Sequence, residues 1–103
     1  MADSIKVYEG TMGATESTVV TVGANKAFIV TEIRLSNRHA SVATTALVKA
    51  GTDTVIFPAK SIEAGDGYIQ ECHTPVAAGK TIKVTAGAAD SIDYYISGVE
   101  VDV

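Results

Sequence analysis

Few side chains in this sequence could do chemistry, and they are widely spaced. Cys72-His73 is the one place where a nucleophile adjoins a base. Both fall in an extended stretch, where successive side chains point to opposite faces, so the pair cannot share a proton as a catalytic dyad. His39 and His73 could ligate a metal with Cys72 or Glu71 only if distant loops met, and no metal-site spacing links them. Asp53, Asp66, Asp90 and Asp93 sit in or beside turns, where carboxylates could gather calcium. Turns select Asp in any case, because its side chain bonds nearby backbone N–H groups. Gly65-Asp66-Gly67 and Ala78-Gly79-Lys80 lead into no helix whose N-terminus could hold a phosphate. Tyr68, Tyr94 and Tyr95 could form an aromatic platform for a sugar or a partner; the alternative puts one ring in the core and one at the rim. No catalytic residue, cofactor site or metal set is assigned, and the chain reads as a non-enzyme.

The elements that would carry these residues are strands. Asn25 to Asn37 (NKAFIVTEIRLSN) alternates in twos, with Ile29, Thr31, Ile33 and Leu35 on one face and Phe28, Val30, Glu32 and Arg34 on the other. It reads as a central strand of an antiparallel sheet, with Glu32 and Arg34 placed to pair or to meet a partner surface. Further strands are expected at Ser4–Glu9, Ser17–Val22, Thr44–Lys49, Thr54–Phe57, Tyr68–Cys72, Thr81–Ala86 and Ser91–Val101. Ala50-Gly51-Thr52-Asp53 makes a hairpin turn. Pro58 ends one strand and Thr74-Pro75 breaks another, because proline cannot donate to a ladder. In the last strand the phase slips around Gly98, the mark of a bulge. A small turn of Ala and Gly with a polar residue recurs before alternating strands, at Gly23-Ala24-Asn25-Lys26, Ala64-Gly65-Asp66 and Ala78-Gly79-Lys80. Its unequal spacing makes it shared turn chemistry and not a repeat.

About eight short strands without helical periodicity point to an all-β fold, a single antiparallel sandwich or a barrel. At 103 residues the chain is one domain, read as a β-sandwich over 16–103 preceded by a segment, 1–15, that either pairs in the sheet or leaves it as an arm. A net charge of −4 with scattered Lys and Arg excludes nucleic acid. No apolar run is long enough to span a membrane, and neither a secretory signal nor a second cysteine is present, so a protein made in a reducing cytoplasm is expected.

The order of pieces from residue 16 onward carries a resemblance. "KAFIVTEIRLSN" follows a short turn, and "TPVAAGKTIKVTAGAADSIDYYISGVEV" closes the chain. This resembles the small β-sandwich structural proteins of tailed bacteriophage virions, found as head decoration (cement) proteins and as minor head or tail components. The resemblance implies a jelly-roll-like sandwich, often a homotrimer, that sits on the major capsid protein at the capsid surface after assembly in the host cytoplasm. On that reading two segments are expected to touch partners: the start, Ala2 to Thr15, with Ser4, Lys6, Tyr8, Thr11 and Met12, and the loop Asn37-Arg38-His39. Both are polar or Gly-rich and flank strong strands. Deleting residues 2 to 12 is expected to abolish particle binding and leave the fold intact. The alternatives are a neck or tail accessory protein, or a carbohydrate-binding sandwich using the three tyrosines, against which the absence of Trp counts.

Overall fold

The computed structural model describes residues 4–103. Eight strands follow one another: β1 (Ser4–Thr11), β2 (Ser17–Thr21), β3 (Lys26–Asn37), β4 (Thr44–Gly51), β5 (Thr54–Ile62), β6 (Gly67–Val76), β7 (Thr81–Ala86) and β8 (Ile92–Asp102). They form two four-stranded antiparallel sheets, ordered β1-β8-β3-β6 and β2-β7-β4-β5. Consecutive strands alternate between the sheets except at the β4–β5 hairpin, which is the jelly-roll order. Phe28, Val30, Ile33, Leu35, Ile92 and Ile96 of the first sheet face Val20, Val48, Phe57, Ile82 and Val84 of the second, all buried.

The recurring small turn has one geometry. Lys26 N donates to Gly23 O, Asp66 N to Glu63 O and Lys80 N to Ala77 O, at 3.3, 3.0 and 3.0 Å. The third residue of each turn has a positive φ: Asn25 at 60°, Gly65 at 73° and Gly79 at 78°. That is the type II pattern, which requires Gly or Asn at this position.

Three expectations are corrected. The strict alternation of β3 breaks at Thr31, because its register shifts against both β6 and β8 between Val30 and Glu32. Phe28 and Val30 therefore point into the core together with Ile33 and Leu35, while Ile29 and Thr31 turn outward. The slip read at Gly98 belongs to this same bulge on the neighbouring strand, since β8 itself pairs with β1 without interruption from Asp93 to Glu100. Neither proline ends its strand: β5 runs through Pro58 and β6 through Pro75. Both strands lie at sheet edges, where a missing N–H can face solvent and cost no ladder bond.

β1 pairs with β8 over its whole length, from Ser4 opposite Glu100 to Thr11 opposite Asp93. Tyr8 seats its ring edge-on against Phe28, with centroids 5.4 Å apart at 84°. Met12, just beyond β1, is fully buried between the sheets.

Candidate interaction surface

Two segments expected to touch partners meet in space. Thr11 Oγ1 donates to Asp93 Oδ1 at 2.7 Å, and Arg38 Nη1 reaches Thr11 Oγ1 at 3.3 Å and Asp93 Oδ1 at 3.5 Å. The joining residue, Asp93 on β8, carried no sequence signal beyond its place near a turn.

Other expected contact residues take structural parts. Asn37 is 2% exposed; its Nδ2 donates to Val42 O and Ile62 O, both at 2.9 Å, and its Oδ1 accepts from His39 N. His39 Nδ1 accepts from Ser41 N and Val42 N at 3.2 Å each. Asn37 and His39 thus hold the 37–42 loop in shape, and Asn37 has no side-chain surface to offer. Met12 has none either, at 0% exposed. Ser4, Lys6 and Tyr8 lie on the inner side of β1, in register with Glu100, Gly98 and Ile96. Deleting residues 2 to 12 would strip β8 of a neighbour and empty the site of Met12, so the deletion is expected to cost the fold stability as well as any contact. Residues 1–3, including Ala2 at the start of that segment, lie outside the described residues.

The surface that stands out is the outer face of the first sheet. The registers align Ile5 with Val99, Val99 with Ile29 and Ile29 with Pro75, an apolar row across all four strands. Val7 extends it along β1. Of the large apolar side chains left most exposed among the described residues, four lie on this face: Ile5 at 83%, Ile69 at 62%, Val7 at 43% and Tyr95 at 41%. The far end of the same face is polar. There a shallow groove of about 640 Å³ is lined by Glu9, Thr11, Arg34, Asp93 and Tyr95, among others. Glu32 and Arg34 share the outer face as expected and form an ion pair.

The opposite surface carries paired charges. On the outer face of the second sheet, Lys49 and Lys83 stand directly opposite each other, a repulsive arrangement unless each finds an acid. Lys49 bonds Glu16 at 2.9 Å and Lys83 bonds Asp53 at 3.1 Å. The Glu16 hydrogen bond, with its charge, holds the Lys49 ammonium above its usual range.

The remaining chemical candidates do not converge. Cys72 points inward, its thiol 3.5 Å from Val30 O, while His73 on the next position is exposed. Among the described residues no three His, Cys, Asp or Glu side chains are grouped to hold a metal. Tyr68 and Tyr94 flank the buried Leu35 on the inner side and Tyr95 faces outward, so the three form no common platform. Tyr68 instead packs edge-on against Phe57, with Lys60 Nζ 4.2 Å above its ring.

No protein-family profile matches the chain, and no curated protein matches it by sequence. Solved structures share its fold. A chain of the disulfide-linked pili that form Bacillus endospore appendages has a TM-score of 0.58 at 12% identity, covering 99% of this chain and 88% of that one. The acid-stable capsid of Helicobacter pylori bacteriophage KHP30 contains a chain with a TM-score of 0.56 at 11% identity, covering 100% and 95%. The Drosophila NLP core, studied for pentamer formation and histone binding, gives 0.55 at 16% identity, covering 93% and 98%. At these identities the likeness is one of fold.

Proposed function

We propose that this chain is a non-enzymatic structural protein of a bacteriophage virion, of the head decoration (cement) kind, that grips assembled capsid protein through the outer face of its first sheet. The apolar row Ile5–Val99–Ile29–Pro75 carries this reading. A sheet face exposed to water ordinarily alternates to polar residues; the second sheet carries two lysine–acid pairs on its outer face, beside Val55, where the first has an unbroken apolar row. The full-length likeness to a phage capsid chain supports it, and so does the resemblance in the sequence. The same fold also serves a spore pilus and a histone-binding core, so the weight rests on the surface. Such a protein needs only a modest footprint, because many copies, or an oligomer such as a trimer, multiply a weak contact by avidity.

The test is to sediment a phage lysate in a density gradient and count copies of the protein per particle against the major capsid protein. Hundreds of copies are expected. A dozen or so would move the protein to the neck or tail, and none would overturn the virion reading. Ile29→Lys, which puts a charge in the middle of the row and leaves the core untouched, is expected to lower particle occupancy at least tenfold while the urea midpoint stays near that of the parent.

A further inference from the structure

The two sheets have four edges, and three of them are blunted. β2 is only five residues long and its register shifts between Thr18 and Val20. β5 carries Pro58 and shifts register twice against β4. β6 carries Pro75 and shifts register against β3. These are devices that keep a sheet edge from pairing with another chain. β1 has no proline and no bulge, its eight residues run in unbroken register, and it exposes Ile5 and Val7.

The free edge of β1 also has a defined hydrogen-bonding pattern. Met12 N donates to Ile92 O at 2.7 Å, which directs the backbone of Met12 toward β8. Backbone groups alternate sides along an antiparallel strand. Lys6, Tyr8 and Gly10 therefore bond to β8, while Ile5, Val7, Glu9 and Thr11 direct their N–H and C=O groups to the open edge.

We propose that this edge takes β1 of a second copy of the chain in a two-fold antiparallel pair centred on Val7, joining the two first sheets into one continuous sheet. The strand is complementary to a second copy of itself in this register. With Val7 on the axis, Ile5 stands opposite the partner's Glu9, and Lys6 stands opposite the partner's Tyr8, an ammonium against an aromatic ring. Sliding the pair by one step toward the N-terminus sets Lys6 against Lys6, and sliding it two steps the other way sets Glu9 against Glu9, both disfavoured. The Val7-centred register has neither clash; centring on Tyr8 also avoids both but sets Lys6 against Gly10, so the Val7 register is the one that gives each Lys6 an aromatic ring. It brings Ile5 diagonal to the partner's Val7 and covers the most exposed apolar side chains of the strand. The contact yields a dimer, not the trimer implied by the resemblance, and it is independent of whether the protein rides on a virion.

Sedimentation velocity of the full chain from micromolar to millimolar concentration tests this, with Val7→Pro and Val7→Lys alongside. The wild type is expected to reach twice its chain mass of 10.6 kDa. Val7→Pro removes an N–H aimed at the open edge and no bond to β8, so it is expected to stay folded by circular dichroism and to weaken association at least tenfold. Val7→Lys sets two ammonium groups on the axis and is expected to do the same; it decides the question if the proline variant fails to fold. A wild type that is monomeric throughout, leaving the edge for a strand of another protein, would overturn the proposal. So would a trimer, or a dimer that survives in the folded variants.

Discussion

Arg38 and Asp93 stand 3.5 Å apart at the polar end of the first sheet, although 55 residues of chain separate them. Thr11 completes the group by donating to the same carboxylate oxygen of Asp93. The loop after β3, the end of β1 and the start of β8 are thereby tied at one corner beside the polar groove. Both charged side chains are about half exposed, which makes the pair a small contributor to stability. Arg38→Ala is expected to change the free energy of unfolding by less than about 1 kcal/mol. On the virion reading it should nonetheless lower particle occupancy, because it removes a half-exposed guanidinium from the polar end of the contact face. Urea titration and co-sedimentation read the two effects separately.

Asn37 gives the opposite outcome. Its amide nitrogen serves two backbone carbonyls and its oxygen one N–H, the bond to Ile62 O being fully buried. Asn37→Ala leaves these groups unsatisfied at a cost of about 1–3 kcal/mol each where no water replaces the amide. Asn37→Asp should cost more than the alanine variant, because a carboxylate would then face the carbonyl oxygens of Val42 and Ile62. Thermal unfolding of both variants gives the order.

Gly98 is required by the bulge. A Cβ built there would lie 2.1 Å from Ile29 O and 2.8 Å from Phe28 Cζ. The first contact is with backbone, which cannot swing aside. Gly98→Ala is expected to cost about 3 kcal/mol or more, at the upper end for an overpacked core. Gly65→Ala meets nothing within 4 Å and suffers only from its positive φ of 73°, so its loss should be smaller, about 1 kcal/mol. Equilibrium unfolding in urea distinguishes the two.

Alkaline pH should weaken the fold through two tyrosines. Burial, and next the charge of Glu100, push the Tyr8 phenol above its ordinary value of 10.0; burial alone does the same to Tyr94. A raised folded-state value means that the folded chain holds protons which the unfolded chain has released. This stabilisation is complete below about pH 10 and is lost as pH rises through the folded-state values. The urea midpoint should therefore be flat with respect to these groups from pH 7 to 9 and fall above pH 10. The fall should be shallower in a Tyr8→Phe, Tyr94→Phe double variant, since Phe has no proton to lose.

How much of this was legible beforehand depends on how far each cause lies along the chain. Strands and turns are local: an alternating run and a turn residue that tolerates positive φ are written in neighbouring positions. For that reason the eight strands, the all-β class and the shared turn before β3, after β5 and before β7 could be read from residues alone. The phase of β3 could not. Thr31 leaves the alternation because β8 and β6 impose different registers on either side of it, and Ile29 looks as fit for the core as Val30 until those partners are placed. Pro58 and Pro75 looked like strand ends because a proline is tolerated inside a strand only at a sheet edge, and edge position follows from strand order. The residues expected to touch partners divide in the same way. Arg38 and Thr11 stay at the surface, but Met12 and Asn37 are buried by packing, and Asp93 joins Arg38 and Thr11 from a strand that begins at residue 92. The sequence by itself determined what each segment is. The tertiary structure decided which side of each segment meets water, because that depends on neighbours brought together from distant parts of the chain.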